Sequence, residues 1–145
     1  MRIIQTAHAE QMSQTAAILI LNEVLAKKKL VLGLATGKTP RGLYQRLIQA
    51  RQALGLDPSD LETFHLDEYL GLGPEDPGSM AQDLMTHFLD PLGVPVLQRH
   101  FVPAVSDDPE AACQAYEAEI AKAGGIDVQI LGIGRNGHIA FNEPG

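Results

Sequence analysis

Three short stretches carry the residue types that chemistry requires. Leu61–Leu66 (LETFHL) delivers two adjacent carboxylates, Asp67 and Glu68, to a loop rich in Gly and Pro. The apolar run Ile126–Ile133 enters a turn containing Gly132, Gly134 and Gly137, and His138 and Glu143 follow. The apolar run Lys29–Ala35 (KLVLGLA) ends in Thr36-Gly37-Lys38-Thr39-Pro40. A carboxylate in a crevice can have a raised pKa and act as a base. An imidazole transfers protons near neutral pH, and a carboxylate can orient it. Backbone N–H groups at a helix start, helped by two hydroxyls and a flexible glycine, form an anion site.

Each stretch also has a plainer reading. Adjacent residues on an extended chain point to opposite sides, so Asp67 and Glu68 cannot face the same ligand atom. Either one of them acts while the other points away, or both are solvated loop carboxylates. TGKTP reads equally as a capped turn, with Thr39 as N-cap and Pro40 at the first helical position. It is not a P-loop, because Gly33 lies four residues before Gly37 rather than five. Gly132–Gly137 (GIGRNG) matches GxGxxG, the fingerprint of dinucleotide sites. That fingerprint should open a long helix with an acidic residue about 20 positions on. Here Pro144 arrives seven residues after Gly137, and no such acid follows. His138 and Glu143 are five residues apart, so only a bent loop brings them together. His65 belongs to a strand and reads as a packed histidine. The remaining histidines and the lone Cys113 show no ligand spacing, and no metal site is expected.

The elements that must hold these loops alternate in type. Arg2–Thr6 is short and β-leaning. Helical periodicity covers His8–Lys27, Arg41–Leu54, Ser79–Leu89 and Asp108–Ala123, with Ser79 and Asp108 as caps and Pro109 at a first helical position. Strands are expected at Lys29–Ala35, Leu61–Leu66, His100–Val102 and Ile126–Ile133, and Pro91–Pro95 should break the third helix. This is the βαβ pattern of an α/β fold: a doubly wound, mainly parallel, Rossmann-like three-layer sheet. Right-handed crossovers place all strand C-termini on one edge. The loops Thr36–Pro40, Asp67–Gly78 and Gly134–Gly145 should therefore converge on one crevice.

Composition bounds the rest. A chain of 145 residues with 45% apolar residues suits a single domain, residues 1–145. Its net charge of −7 and lack of a Lys/Arg stripe argue against a nucleic-acid partner. No apolar run approaches the ~18 residues of a membrane span, and the first residues do not form a signal peptide. The lone Cys113 sits in a helical pattern and fits a reducing, cytoplasmic setting.

LGLATGKTPRGLY, TFHLDEYLGL and LGIGRNGHIAFNEPG, in that order, resemble the glucosamine-6-phosphate deaminase (isomerase) family. The helix AACQAYEAEI is also similar to that family. The resemblance covers nearly the whole chain but about the first three-fifths of a member. It implies conversion of glucosamine 6-phosphate and water to fructose 6-phosphate and ammonia, with no redox cofactor. It implies that Asp67 is the base that moves the C2 proton to C1. His138 would open the sugar ring, with Glu143 holding the imidazole's orientation. Asn136 matches a ring-opening position that is Asp in some members. As Asn it can orient by hydrogen bonding but cannot ionise. Thr36, Gly37, Lys38 and Thr39 would form part of the phosphate site. Lys38 stands where many members have a small residue; it either adds charge near the phosphate or points to solvent. The partner is then a small amino-sugar phosphate, and members range from monomers to hexamers. Alternatives on the same fold are a galactosamine-6-phosphate enzyme and a 6-phosphogluconolactonase; a non-catalytic sugar-phosphate or nucleotide-binding fragment is another. Because members continue past this point, the resemblance implies that the chain is a fragment with an incomplete sheet, an open edge at Ile126–Ile133, low stability and little activity on its own.

Overall fold

The computed structural model describes residues 1–145. Four strands form one parallel sheet: β1 (Leu30–Leu34), β2 (Leu61–His65), β3 (Arg99–His100) and β4 (Val128–Gln129). Their order is β3-β2-β1-β4. The chain winds outward from β1 to β3, then returns to the other side of β1. The topological switch point therefore lies between β1 and β4, where open α/β sheets bind ligands.

Alternation along β1 builds the two faces. Leu30, Leu32 and Leu34 join the main core with α1 (Ala9–Ala26) and α2 (Lys38–Leu54). Val31 points the other way and packs with Phe64 and Tyr116 of α5 (Pro109–Lys122). Side chains of successive strand residues leave opposite faces, and both faces here are apolar, as a central parallel strand requires. Tyr116 also donates from its hydroxyl to the His65 carbonyl at 2.7 Å, anchoring α5 to the end of β2. At the start of β1, the Asp127 carboxylate accepts from the Val31 N–H at 2.9 Å and pairs with Lys27 Nζ at 2.5 Å. This clamp sets the height at which the last strand meets the sheet. No helix is long and apolar enough to cross a membrane.

Several expected boundaries differ. Arg2–Thr6 forms no strand, and Ile3 is largely exposed, because no sheet edge is paired with it. The last strand is paired over Val128–Gln129 rather than the whole of Ile126–Ile133. Its only ladder partner is β1, so the apolar residues beyond it, Leu131 and Ile133, lie exposed. The third strand is Arg99–His100, shifted back from His100–Val102 by its register on Thr63 and Phe64.

Pro91 does not end its helix. After α3 (Met80–Leu84), the turn Met85–Leu89 widens to π geometry, and α4 (Asp90–Leu92) continues to Gly93. A proline ring clashes with the carbonyl four residues back and lacks an N–H to bond it. A π turn just before the proline eases that conflict. It also places Phe88 and Leu89 fully inside the core, with Phe88 stacked on Tyr44 at 4.2 Å. Phe88→Ala is expected to cost about 3–5 kcal/mol of stability, as large-to-small core changes do. Denaturant unfolding measures this.

A charged cluster covers the edge of the sheet near β3. Glu62 Oε1 bonds His100 Nε2 at 2.8 Å, and Lys29 Nζ lies 2.5 Å from Glu62 Oε2. Burial opposes ionisation of Glu62, but Lys29 and His100 outweigh it and hold the carboxyl below its ordinary value. The unfolded chain therefore takes up this proton at higher pH than the folded one. The group's stabilising contribution is complete above roughly pH 5 and is lost as pH falls through the folded pKa. Glu62→Gln should flatten the fall in melting temperature across that acid range; an unchanged slope would remove Glu62 from the acid response.

Candidate active site

The strand ends at the switch point bring the three loops together, as the alternation of elements predicts. One cavity of about 480 Å³ is lined by Thr36–Thr39 after β1, by Leu66, Asp67 and Tyr69 after β2, and by Gly132–Gly134, His138 and Glu143 after β4. A second cavity, of about 270 Å³, lies where α1 and α2 meet Leu30 and Leu61 at the strand starts. Its lining is mostly apolar and includes no histidine.

The two adjacent carboxylates have opposite fates. Glu68 turns toward α3, and its oxygens accept from the N–H groups of Met80 at 3.1 Å and Ala81 at 2.9 Å. It also accepts from the Tyr69 N–H at 2.9 Å, so it pins the loop to the helix start. A negative charge there meets unpaired N–H groups and the positive end of the helix dipole. Asp67 faces the cavity, and no protein donor bonds its carboxylate. Burial, with the Glu68 charge adding to it, pushes the Asp67 pKa above the ordinary aspartate value. A half-buried, unpaired carboxylate of raised pKa is a group suited to taking a proton. His65, just upstream, is the packed histidine that the strand pattern predicts: it is buried, and burial lowers its pKa to about 4.

His138 is half-buried and bonded through Asn136. Its Nδ1 lies 2.6 Å from Asn136 Oδ1, and Asn136 Nδ2 donates to Glu143 Oε2 at 2.6 Å. Glu143 makes neither a hydrogen bond nor an ion pair with the imidazole, so the expected direct orientation of His138 by Glu143 is corrected to an indirect one through Asn136. The polarity of this chain is fixed by chemistry. A carboxylate only accepts, so the Asn136 amide directs its NH₂ to Glu143 and its oxygen to His138. Nδ1 then carries a proton, which leaves Nε2 as the nitrogen that can exchange one.

Backbone shape makes room for this ring. A Cβ at Gly134 would collide with the His138 imidazole. Gly137 has φ 92°, and its N–H bonds the Gly134 carbonyl at 2.9 Å, closing the turn. No helix follows Gly132–Gly137, so GIGRNG lacks the structural context of a dinucleotide fingerprint. Instead Ile139 and Asn142 pair across a tight turn in which Ala140 has φ 55°. Such a turn favours glycine, and an alanine there is strained.

The helix start after β1 also differs from expectation. α2 begins at Lys38 with Gly37 as N-cap, not at Pro40 with Thr39 as cap. Gly37 reaches φ 102°, a conformation closed to most side chains. No side chain caps this end. The Thr36 and Thr39 hydroxyls and the first N–H groups thus remain available along the cavity wall, and exposed Lys38 stands beside them. Two further cavity residues, Tyr69 and Phe141, were not among the candidates, although both lie in the stretches TFHLDEYLGL and LGIGRNGHIAFNEPG beside the candidate acid–base residues, which was the available signal.

Residues 5–141 match the family described as glucosamine-6-phosphate isomerases/6-phosphogluconolactonase. The glucosamine-6-phosphate deaminase of Geobacillus sp. (strain WCH70) is 45% identical over 145 residues, which are 100% of this chain and 58% of that protein. Glucosamine-6-phosphate deaminase 2 of Bacillus subtilis (strain 168) is 47% identical over the same length, again spanning 58% of the relative. A monomeric glucosamine-6-phosphate deaminase structure is similar at TM-score 0.94 and 39% identity, over 100% of this chain and 60% of that one. The 6-phosphogluconolactonase of Thermotoga maritima shares the fold at TM-score 0.77 and 22% identity, over 97% of this chain and 62% of that one. The chain therefore spans less than two thirds of the length of these relatives. With the match running through nearly all of its residues, the chain belongs to the glucosamine-6-phosphate isomerase/6-phosphogluconolactonase family.

Proposed function

We propose that this chain is a single α/β domain carrying the acid–base cleft of a glucosamine-6-phosphate deaminase, and that it acts on an amino-sugar phosphate in the cytoplasm. The observation that supports this most is the meeting in one cavity of an unpaired Asp67 carboxylate with His138 and Glu143, which Asn136 links by hydrogen bonds. Aldose–ketose isomerisation needs a base for a carbon-bound proton and a separate group that exchanges a proton with a ring oxygen. The cleft offers one of each.

In this reading the phosphate sits at the start of α2, bonded by backbone N–H groups and the Thr36 and Thr39 hydroxyls, with Lys38 adding positive charge. His138 opens the sugar ring by moving a proton between the ring oxygen and the C1 hydroxyl. Asn136 holds the imidazole, and Glu143 holds Asn136. Asp67 takes the proton from C2 of the open aldehyde and returns it to C1. The amine-bearing C2 is thereby raised to the oxidation level of a ketimine as C1 is reduced to an alcohol. Water adds at C2 and ammonia leaves, giving fructose 6-phosphate. The raised Asp67 pKa favours this step, since a stronger base takes a carbon-bound proton more readily.

A coupled assay for ammonia and fructose 6-phosphate tests the proposal. It is run on this chain, and on the chain joined to the part of the Bacillus subtilis relative that it does not match. Absence of ammonia from both defeats the proposal; lactone hydrolysis in place of ammonia release would point to the lactonase branch of the family. Asp67→Asn and His138→Gln are each expected to lower turnover by about 10²–10⁴-fold. The rate with native Asp67 should fall on acidification at a pH above the ordinary aspartate pKa of about 3.9. Because the folded pKa is raised, ionising Asp67 costs stability as pH rises through that window. Asp67→Asn should therefore melt no lower than the parent at neutral pH while losing turnover.

A further inference from the structure

The chain has seven aromatic side chains, four Phe and three Tyr, and no Trp. Tyr44, Phe64, Phe88 and Tyr116 are buried and Phe101 is partly buried, while Tyr69 and Phe141 are 51% and 53% exposed. Both exposed rings line the candidate cleft. They also meet across it, with centroids 5.2 Å apart and planes inclined by 53°. Tyr69 comes from the Asp67 loop and Phe141 from the His138 loop.

Each ring is held by its own backbone device. The Tyr69 N–H is bonded by the Glu68 carboxylate that caps α3. Phe141 follows Ala140, whose φ of 55° is enforced by the Ile139–Asn142 pairing. Strained backbone persists where surrounding structure over-determines it, and such sites cluster at ligand clamps. Exposed aromatic surface is otherwise unfavourable, and ligand pockets commonly oppose an apolar wall to a few polar anchors. Here the polar anchors are Thr36–Thr39, Asp67 and His138.

We infer that Tyr69 and Phe141 form one apolar wall that packs against the C–H face of the bound sugar. The inference rests on the sugar-phosphate reading above and adds a separate binding determinant to it: the ring pair grips the carbon skeleton, while the start of α2 grips the phosphate. The wall also ties the loop of the base to the loop of the imidazole, so both reach the sugar in a fixed relation.

Calorimetric titration with glucosamine 6-phosphate and, separately, with inorganic phosphate tests this on the parent chain and on Phe141→Ala, Tyr69→Ala and Tyr69→Phe. Both rings are half exposed, and melting curves verify that each variant folds. Each alanine variant should weaken the sugar phosphate by about tenfold. Binding of inorganic phosphate should stay unchanged, and Tyr69→Phe, which keeps the ring, should bind like the parent. Equal weakening of both ligands would overturn the inference, as would a Tyr69→Phe defect as large as that of Tyr69→Ala. Sugar-phosphate binding by the parent, with no ammonia released either by it or by the chain joined to the unmatched part of the relative, defeats the deaminase reading but leaves the wall in place. Ammonia release and sugar binding unaffected by Phe141→Ala defeat the wall alone, and a parent that binds no sugar phosphate defeats both.

Discussion

β1 is hydrogen-bonded on both edges, to β2 and β4, and covered on both faces, so it is the strand to which every loop of the cleft is referred. All five of its residues are buried. A parallel ladder fixes register residue by residue, and a one-residue slip would turn Leu30, Leu32 and Leu34 away from the main core. The ends of β1, β2 and β4 are thereby held at a common level. Asp67 and the turn to His138 inherit their positions from that registration, and the start of α2 follows directly from the end of β1.

The electrostatics of the cleft follow from how each carboxylate is satisfied. Glu68 and Asp67 are neighbours in sequence, yet Glu68 accepts three backbone N–H groups and Asp67 accepts none from the protein. Glu68 thus serves the fold and raises its neighbour's basicity by its charge. Glu143 serves the site at one remove. Its charge fixes the Asn136 amide, and the amide fixes which imidazole nitrogen bears the proton. The neutral amide transmits orientation without adding a second negative charge beside the ring.

Regular and irregular backbone are divided by task. The sheet and its flanking helices are closely packed, and the departures from regular geometry that matter here fall at the turns bordering the cleft. Gly37, Gly137 and Ala140 all take positive φ there, and Gly134 leaves space for an imidazole. Loops on a rigid scaffold can adopt such conformations because the scaffold holds their ends. The π turn at Met85–Leu89 is the exception inside an element, and it reconciles Pro91 with a continuous helix.

Local chemistry made much of this legible without coordinates. Apolar runs ending in glycine or carboxylates marked β1, β2 and β4, and helical periodicity between them dictated parallel pairing and a shared cleft edge. The caps Ser79 and Asp108 were readable because one side chain bonds one nearby N–H. Asp67, His138, Glu143 and the Thr36–Thr39 turn could be named as candidates from residue type and position at strand ends. Contacts between distant residues were not readable in this way. Whether Glu68 or Asp67 faces the cavity depends on where α3 presents its N–H groups. The place of Asn136 between His138 and Glu143 depends on how the glycine turn closes. The extent of the last strand depends on its having a partner only in β1, and the meeting of Tyr69 with Phe141 depends on two loops set by different strands. Sequence determined the elements and the chemical groups, because propensity, periodicity and capping act over a few residues; tertiary structure decided which groups are desolvated, paired or left free, because those properties arise only when remote segments are packed together.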